Sequence, residues 1–326
     1  RRYRLMPNYN GVWSLSTQYQ NVADWPQPPP IGFRVSGEAT GVGSVSNIIT
    51  VVTLSSSGAV ADFGDLNAAQ GRAGALSSTT RGIIGGGLGA NGSTKTDTIQ
   101  YFTIGTSGSG SDFGNLSVGR TYITASSNIT RGIFAGGNAA SDGASKDVMD
   151  YITIASAGNA TDFGNLSAVS ERSTSTSSTT RMIIGGGYRS SAAINIMEYV
   201  TIGSTGNVTD FGDLSVARQN LDAVSSNTRS VFAGGTSSNV IDYVTTASTG
   251  NASDFGDLTT SSRFFADCSM STKITGFFFS RDNVDGEKIT IASTGNAADS
   301  FSDLADSDFI QVAETAGLTG VHGGLA

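Results

Sequence analysis

Asp112-Phe113-Gly114-Asn115-Leu116 decides the fold of this chain, because it recurs. It returns as Asp62-Phe63-Gly64-Asp65-Leu66, Asp162-Phe163-Gly164-Asn165-Leu166, Asp210-Phe211-Gly212-Asp213-Leu214 and Asp254-Phe255-Gly256-Asp257-Leu258. A degraded copy stands at Asp299-Ser300-Phe301-Ser302-Asp303-Leu304. The leading aspartates are 50, 50, 48, 44 and 45 residues apart. Repeats of this length are the size of propeller blades.

The surrounding text repeats with the motif. A polar turn and an arginine follow it (Arg120, Arg172, Arg218, Arg263), then a strand of small residues such as Leu221-Asp222-Ala223-Val224-Ser225. A second arginine opens an apolar strand that ends in glycines, as in Arg81-Gly82-Ile83-Ile84-Gly85-Gly86-Gly87. After a loop of variable length comes a strand like Ile196-Met197-Glu198-Tyr199-Val200-Thr201-Ile202, and a Ser-Thr-Gly-Asn turn returns to the motif. Each repeat therefore holds four short strands, A to D, rich in Ile, Val, Thr, Tyr and Phe. Gly250-Asn251 and its equivalents supply the positive φ that a tight C–D turn needs. Radial closure of such sheets leaves few open edges, whereas a linear stack would expose flat ones.

The chain ends are out of phase with the blades in a complementary way. The first repeat enters at Asn47–Leu54, a C strand, without A and B. Phe309–Ala313 reads as the missing A and Gly320–Gly324 as the missing B. The expected fold is all-β: a six-bladed kelch-like β-propeller of four-stranded blades over residues 46–326, closed by pairing of N- and C-terminal strands. Residues 1–45 form a short N-terminal extension, read as an anchoring segment. A seventh, partial blade built on Ile31–Gly37 is the less favoured arrangement.

The repeat resembles the kelch family of propellers, in which an apolar strand ending in Gly-Gly precedes a Tyr-bearing strand and a later Arg segment. Gly234-Gly235, Asp242-Tyr243 and Arg263 take comparable places, with Phe of the Asp-Phe-Gly motif where kelch usually has Trp. Residues Gly11-Val12-Trp13-Ser14-Leu15-Ser16-Thr17-Gln18-Tyr19-Gln20 and Trp25-Pro26 resemble a short module of marine bacteriophage structural proteins, where it precedes similar repeats. That resemblance implies a virion protein. Tyr9, Trp13, Tyr19 and Trp25 have no repeat to bury them and read as docking anchors for other virion subunits. Pro28-Pro29-Pro30 reads as a stiff spacer.

Composition narrows the chemistry. A net charge of −8 with 19 Lys and Arg in 326 residues argues against nucleic acid, which needs clustered positive charge. No apolar run is long enough for a membrane-spanning helix, so no membrane insertion is expected. Arg1–Pro7 has no apolar stretch behind its charges and does not read as a signal peptide. One histidine, His322, and one cysteine, Cys268, cannot build a zinc or copper centre of the usual type, and neither metal nor cofactor is expected. Calcium at pairs such as Asp62 and Asp65 competes with a plainer role, the aspartate capping its own turn. No Gly-x-Ser-x-Gly elbow or paired carboxylates emerge, so no enzymatic activity is expected. Gly87-Leu88-Gly89-Ala90-Asn91-Gly92 has the spacing of a phosphate loop but no helix behind it.

Recognition is expected in the B–C loops, which vary most between repeats and emerge on one face of a rigid frame. Lys95, Asn138, Lys146, Tyr188, Arg189, Arg281 and Asp282 are the candidate ligand contacts. The expected function is a bacteriophage virion structural protein, a tail or fibre component within an oligomeric assembly, that presents these loops to a host-surface glycan or to neighbouring subunits. The alternatives are an extracellular propeller lectin or glycoside hydrolase, and a kelch-like adaptor.

Overall fold

A computed structural model of the chain describes residues 30–39, 45–54, 60–139, 143–261, 268–279, 286–301, 312–313 and 316–319. These residues form only strands, turns and loops, in six antiparallel sheets of the propeller plan plus two small two-stranded pairings among the loops. Blade 2 shows the pattern: A is Gly74–Ser77, B Arg81–Gly85, C Thr98–Thr103 and D Ser111–Asn115, hydrogen-bonded in that order. Blades 3, 4, 5 and 6 begin their A strands at Thr124, Thr174, Asp222 and Ser269. The A strands stand side by side in a closed ring around a central channel.

Blade 1 closes the ring. Its strands are Ala316–Thr319 (A), Ile31–Ala39 (B), Val45–Thr53 (C) and Val60–Asp65 (D). The chain ends thus share one blade, as expected, but the strands differ from the sequence reading. Ile31–Ala39, assigned there to the anchoring segment, is strand B, so the propeller begins near residue 31 rather than 46. Strand A is Ala316–Thr319, paired with Gly32–Val35, while Val312–Ala313 pairs with the far end of strand B. Residues 320–324 lie outside the described residues. The signal was present: Ile31-Gly32-Phe33 matches Arg81-Gly82-Ile83 in register, and Phe33 and Val35 are fully buried. The opening arginine and the closing glycines were missing, which hid it.

The Asp-Phe-Gly motif is a β-bulge. Ile99 pairs with Gly114 and Gln100 with Asp112, leaving Phe113 as the extra residue of strand D, and the same slip occurs in every blade. A bulge re-aims the side chains beside it, and in blades 1 to 5 the motif phenylalanine is buried. Asp62 accepts from the Gly64 N–H at 3.2 Å, the local turn expected for it. Gly114 has φ +146, and a Cβ there would lie 2.4 Å from the Gly158 carbonyl oxygen of the next blade.

That close approach explains the Gly-Asn turns. Gly158 and Ala160 donate backbone N–H groups to the Phe113 and Asn115 carbonyls at 2.6 and 2.8 Å, and the Asn159 side chain accepts from the Asn115 N–H at 3.1 Å. Equivalent bonds join blades 4, 5 and 6 to the blades before them. The C–D turns of blades 2 to 6 thereby cover the outer edges of the preceding blades, which removes an unpaired template for aggregation. A latch of side chains lies nearby. Arg81, Arg131, Arg181 and Arg229 stand over Tyr101, Tyr151, Tyr199 and Tyr243 at 4.3–4.7 Å and donate to a carbonyl of the next blade.

Candidate functional site at the loop-bearing face

The D-to-A crossovers and the B–C loops share one face and are stitched together there. Leu88 pairs with Gly71, Asn138–Ala139 with Arg120–Thr121, and Tyr188 with Glu171. Beneath them lies a repeated buried pair. Strand C carries Gln100, Asp150, Glu198, Asp242 and Glu287 at equivalent places, all buried. Arg120 meets Asp150 at 2.6 Å and Arg218 meets Asp242 at 2.5 Å, with both side chains of each pair essentially without solvent exposure. Burial lowers the pKa of both guanidinium groups, and the facing carboxylates oppose that shift. In blade 2 a neutral pair substitutes: the Gln100 amide donates to the Gln70 side chain at 2.7 Å.

Blade 4 has Ser170 at the crossover position and draws its arginine from elsewhere. Arg189, in the B–C loop, donates to Glu198 at 2.7 Å and to Ser167 at 3.0 Å. The loop that delivers it is a two-residue hairpin, Tyr188–Arg189 against Ala192–Ala193. Ser190 and Ser191 have φ 47 and 67, the double left-handed geometry usually served by Asn-Gly. Arg189, expected to contact a ligand, is therefore tied to the blade.

The structure brings two other candidates together across a blade boundary. The Lys95 ammonium group donates to the Asn138 side chain, and to the Ala139 carbonyl at 2.9 Å. Lys146 opens strand C of blade 3 and is half-buried. The Tyr188 ring is half-buried, with the Arg172 guanidinium 5.8 Å from its centroid. Arg281, Asp282, Tyr9, Trp13, Tyr19 and Trp25 lie outside the described residues.

The sequence reading treated Arg120, Arg172, Arg218 and Arg263 as one repeated position. The structure separates them. Arg120 and Arg218, four residues after the motif leucine, are the buried pairing arginines. Arg172, six residues after its leucine, shares a left-handed position with Arg72, Tyr122 and Asn220, which have φ of 54–58. Counting from the leucine would have made the distinction. Arg263 lies outside the described residues.

The inner strands line a cavity of about 110 Å³ with mainly small and hydroxyl side chains, together with Asp222. A serine ladder girdles it: Ser127, Ser177, Ser225 and Ser271 each donate to the serine carbonyl of the preceding blade at 2.6–3.4 Å. Among the described residues no cluster of three His, Cys, Asp or Glu side chains is placed to hold a metal ion. No protein-family model matches the chain, and no curated protein matches it.

Proposed function

We propose that the protein is a structural, non-enzymatic component of a bacteriophage virion, at the tail or its fibres. Its propeller is a rigid frame for display, and the segment before it docks on neighbouring subunits through Tyr9, Trp13, Tyr19 and Trp25. The loop-bearing face meets a host-surface glycan. The observation that carries the display reading is the stitching of the B–C loops to the crossovers, because loops held at their bases present side chains at little entropic cost. The strand C carboxylates at this face support the non-enzymatic part: Asp150, Glu198 and Asp242 are each engaged by an arginine. The virion assignment rests on the phage-like residues 11–26.

Immunogold labelling of native particles with an antibody against the propeller tests this reading. Label on tails or fibres, together with Fab fragments that block host adsorption, is the expected result. A propeller recovered only as free protein, with unlabelled particles, would overturn it.

A further inference from the structure

Four successive crossovers place their sixth residue after the motif leucine in the left-handed region: Arg72, Tyr122, Arg172 and Asn220. A backbone ladder holds them there. Tyr122 donates to the Arg72 carbonyl at 3.1 Å, Arg172 to that of Tyr122 at 3.2 Å, and Asn220 to that of Arg172 at 3.1 Å. Ala73, Ile123, Ser173 and Asp222, which follow closely, line the central cavity. The four residues therefore form an arc around one end of the channel, on the loop-bearing face.

Their identity is not what the backbone asks for. A left-handed residue is most easily Gly or Asn, and blade 5 uses Asn220. The other three crossovers carry large cationic or aromatic side chains at this conformational cost, and those side chains converge. The guanidinium carbons of Arg72 and Arg172 stand over the one Tyr122 ring, at 5.0 and 4.6 Å, and Arg172 also faces Tyr188. Glu171 lies 3.7 Å from Arg172. Two half-buried arginines on one ring, one of them beside Glu171, thus bring planar cationic donors to the end of a cavity rich in hydroxyls.

We propose that this arc binds a carboxylate-bearing saccharide, of which a uronic acid is the simplest form. Arg72 and Arg172 each offer planar charged donors to the carboxylates of such a saccharide, Tyr188 offers a ring face to the sugar, and the hydroxyl-lined cavity receives its polar edge. This deepens the glycan-binding part of the function proposed above and rests on it.

Calorimetry with trigalacturonate and with its methyl ester, which has the same shape without the charge, is the test. The acid binds in the expected outcome, about tenfold or more tighter than the ester, and binding weakens as salt rises. Arg72→Asn and Arg172→Asn each lower affinity by about tenfold or more, the loss of one charge-assisted contact. Their melting temperatures stay close to that of the parent, because Asn220 shows that this backbone accepts asparagine. Equal binding of acid and ester, binding of neither, or unchanged affinity in both variants overturns the site. A propeller that labels virions but ignores trigalacturonate overturns this inference alone. One that binds it through these arginines yet is absent from virions overturns the virion reading alone.

Discussion

The interfaces between blades 2 and 3, 3 and 4, 4 and 5, and 5 and 6 are built differently from the two that flank blade 1. In the first group an arginine leaves strand B, lies over a strand C tyrosine, and donates to a carbonyl of the next blade at 2.8–3.2 Å. The tyrosine in turn meets the motif phenylalanine edge-on at about 6 Å. Blade 6 has Thr275 and Lys288 at these places, and blade 1 has Ile31 and Val51. Neither holds the arginine–tyrosine pair. At the interface of blades 1 and 2, Phe33, Phe63 and Phe102 pack mutually edge-on with centroids 4.9–5.6 Å apart. At that of blades 6 and 1, Val52, Leu54, Cys268, Met270, Phe277 and Phe279 form a single apolar cluster.

The difference teaches how the ring is closed. Blades 2 to 6 are each made from consecutive chain, so their latches can form as neighbours fold. Blade 1 waits for strands from both ends of the chain. Apolar contact is non-directional, and it tolerates the last approach better than a hydrogen bond that requires its geometry in advance. Loop-closure entropy is concentrated in that step.

Removal of residues 312–326 attacks the closing blade most directly, since it strips strand A from Gly32–Val35. The ring is expected to lose cooperative melting and to aggregate through the bare edge. Calorimetry and size-exclusion chromatography read this, and a truncated chain that melts like the parent would refute closure as the weak point. Phe33→Ala, in the unlatched interface, is expected to cost about 3–5 kcal/mol for a buried aromatic, measured by denaturant unfolding. Arg131→Met removes a latch while keeping apolar bulk, and its expected cost is smaller, about 1–3 kcal/mol from one charged hydrogen bond and one cation–π contact. If Arg131→Met proves the more damaging of the two, the ranking of the interfaces is inverted. The smallest effect should come from writing the latch into blade 6 as Thr275→Arg with Lys288→Tyr, with a gain of up to about 1 kcal/mol. A gain seen only in the double variant sharpens the comparison, and additive single effects count against it.

The buried pair beneath the loops was only half legible. Glu198 shares its place in the repeat with Asp150 and Asp242, which marks it as scaffold, and burial agrees. Arg189 reads as a ligand contact in sequence because it sits in a variable loop. Its role depends on Ser170 standing where blades 3 and 5 have Arg120 and Arg218, so a single loop could not reveal it. The left-handed arc was illegible for a related reason. Arg72 and Tyr122 look unrelated in sequence, and only a shared φ shows that they occupy one position.

By itself the sequence determined the repeat, the four strands in each blade, the buried motif residues, and closure through the two ends. These follow from local alternation, turn chemistry and periodicity, which need only neighbours along the chain. Tertiary structure alone decided that Asp-Phe-Gly is a bulge pressed against the next blade, that the Gly-Asn turn caps a foreign strand edge, and that Ile31–Ala39 belongs to blade 1. The first two are contacts between neighbouring blades, joining residues roughly 40–50 apart, and the third depends on pairing with strands from the other end of the chain; no local propensity encodes which distant backbone will approach.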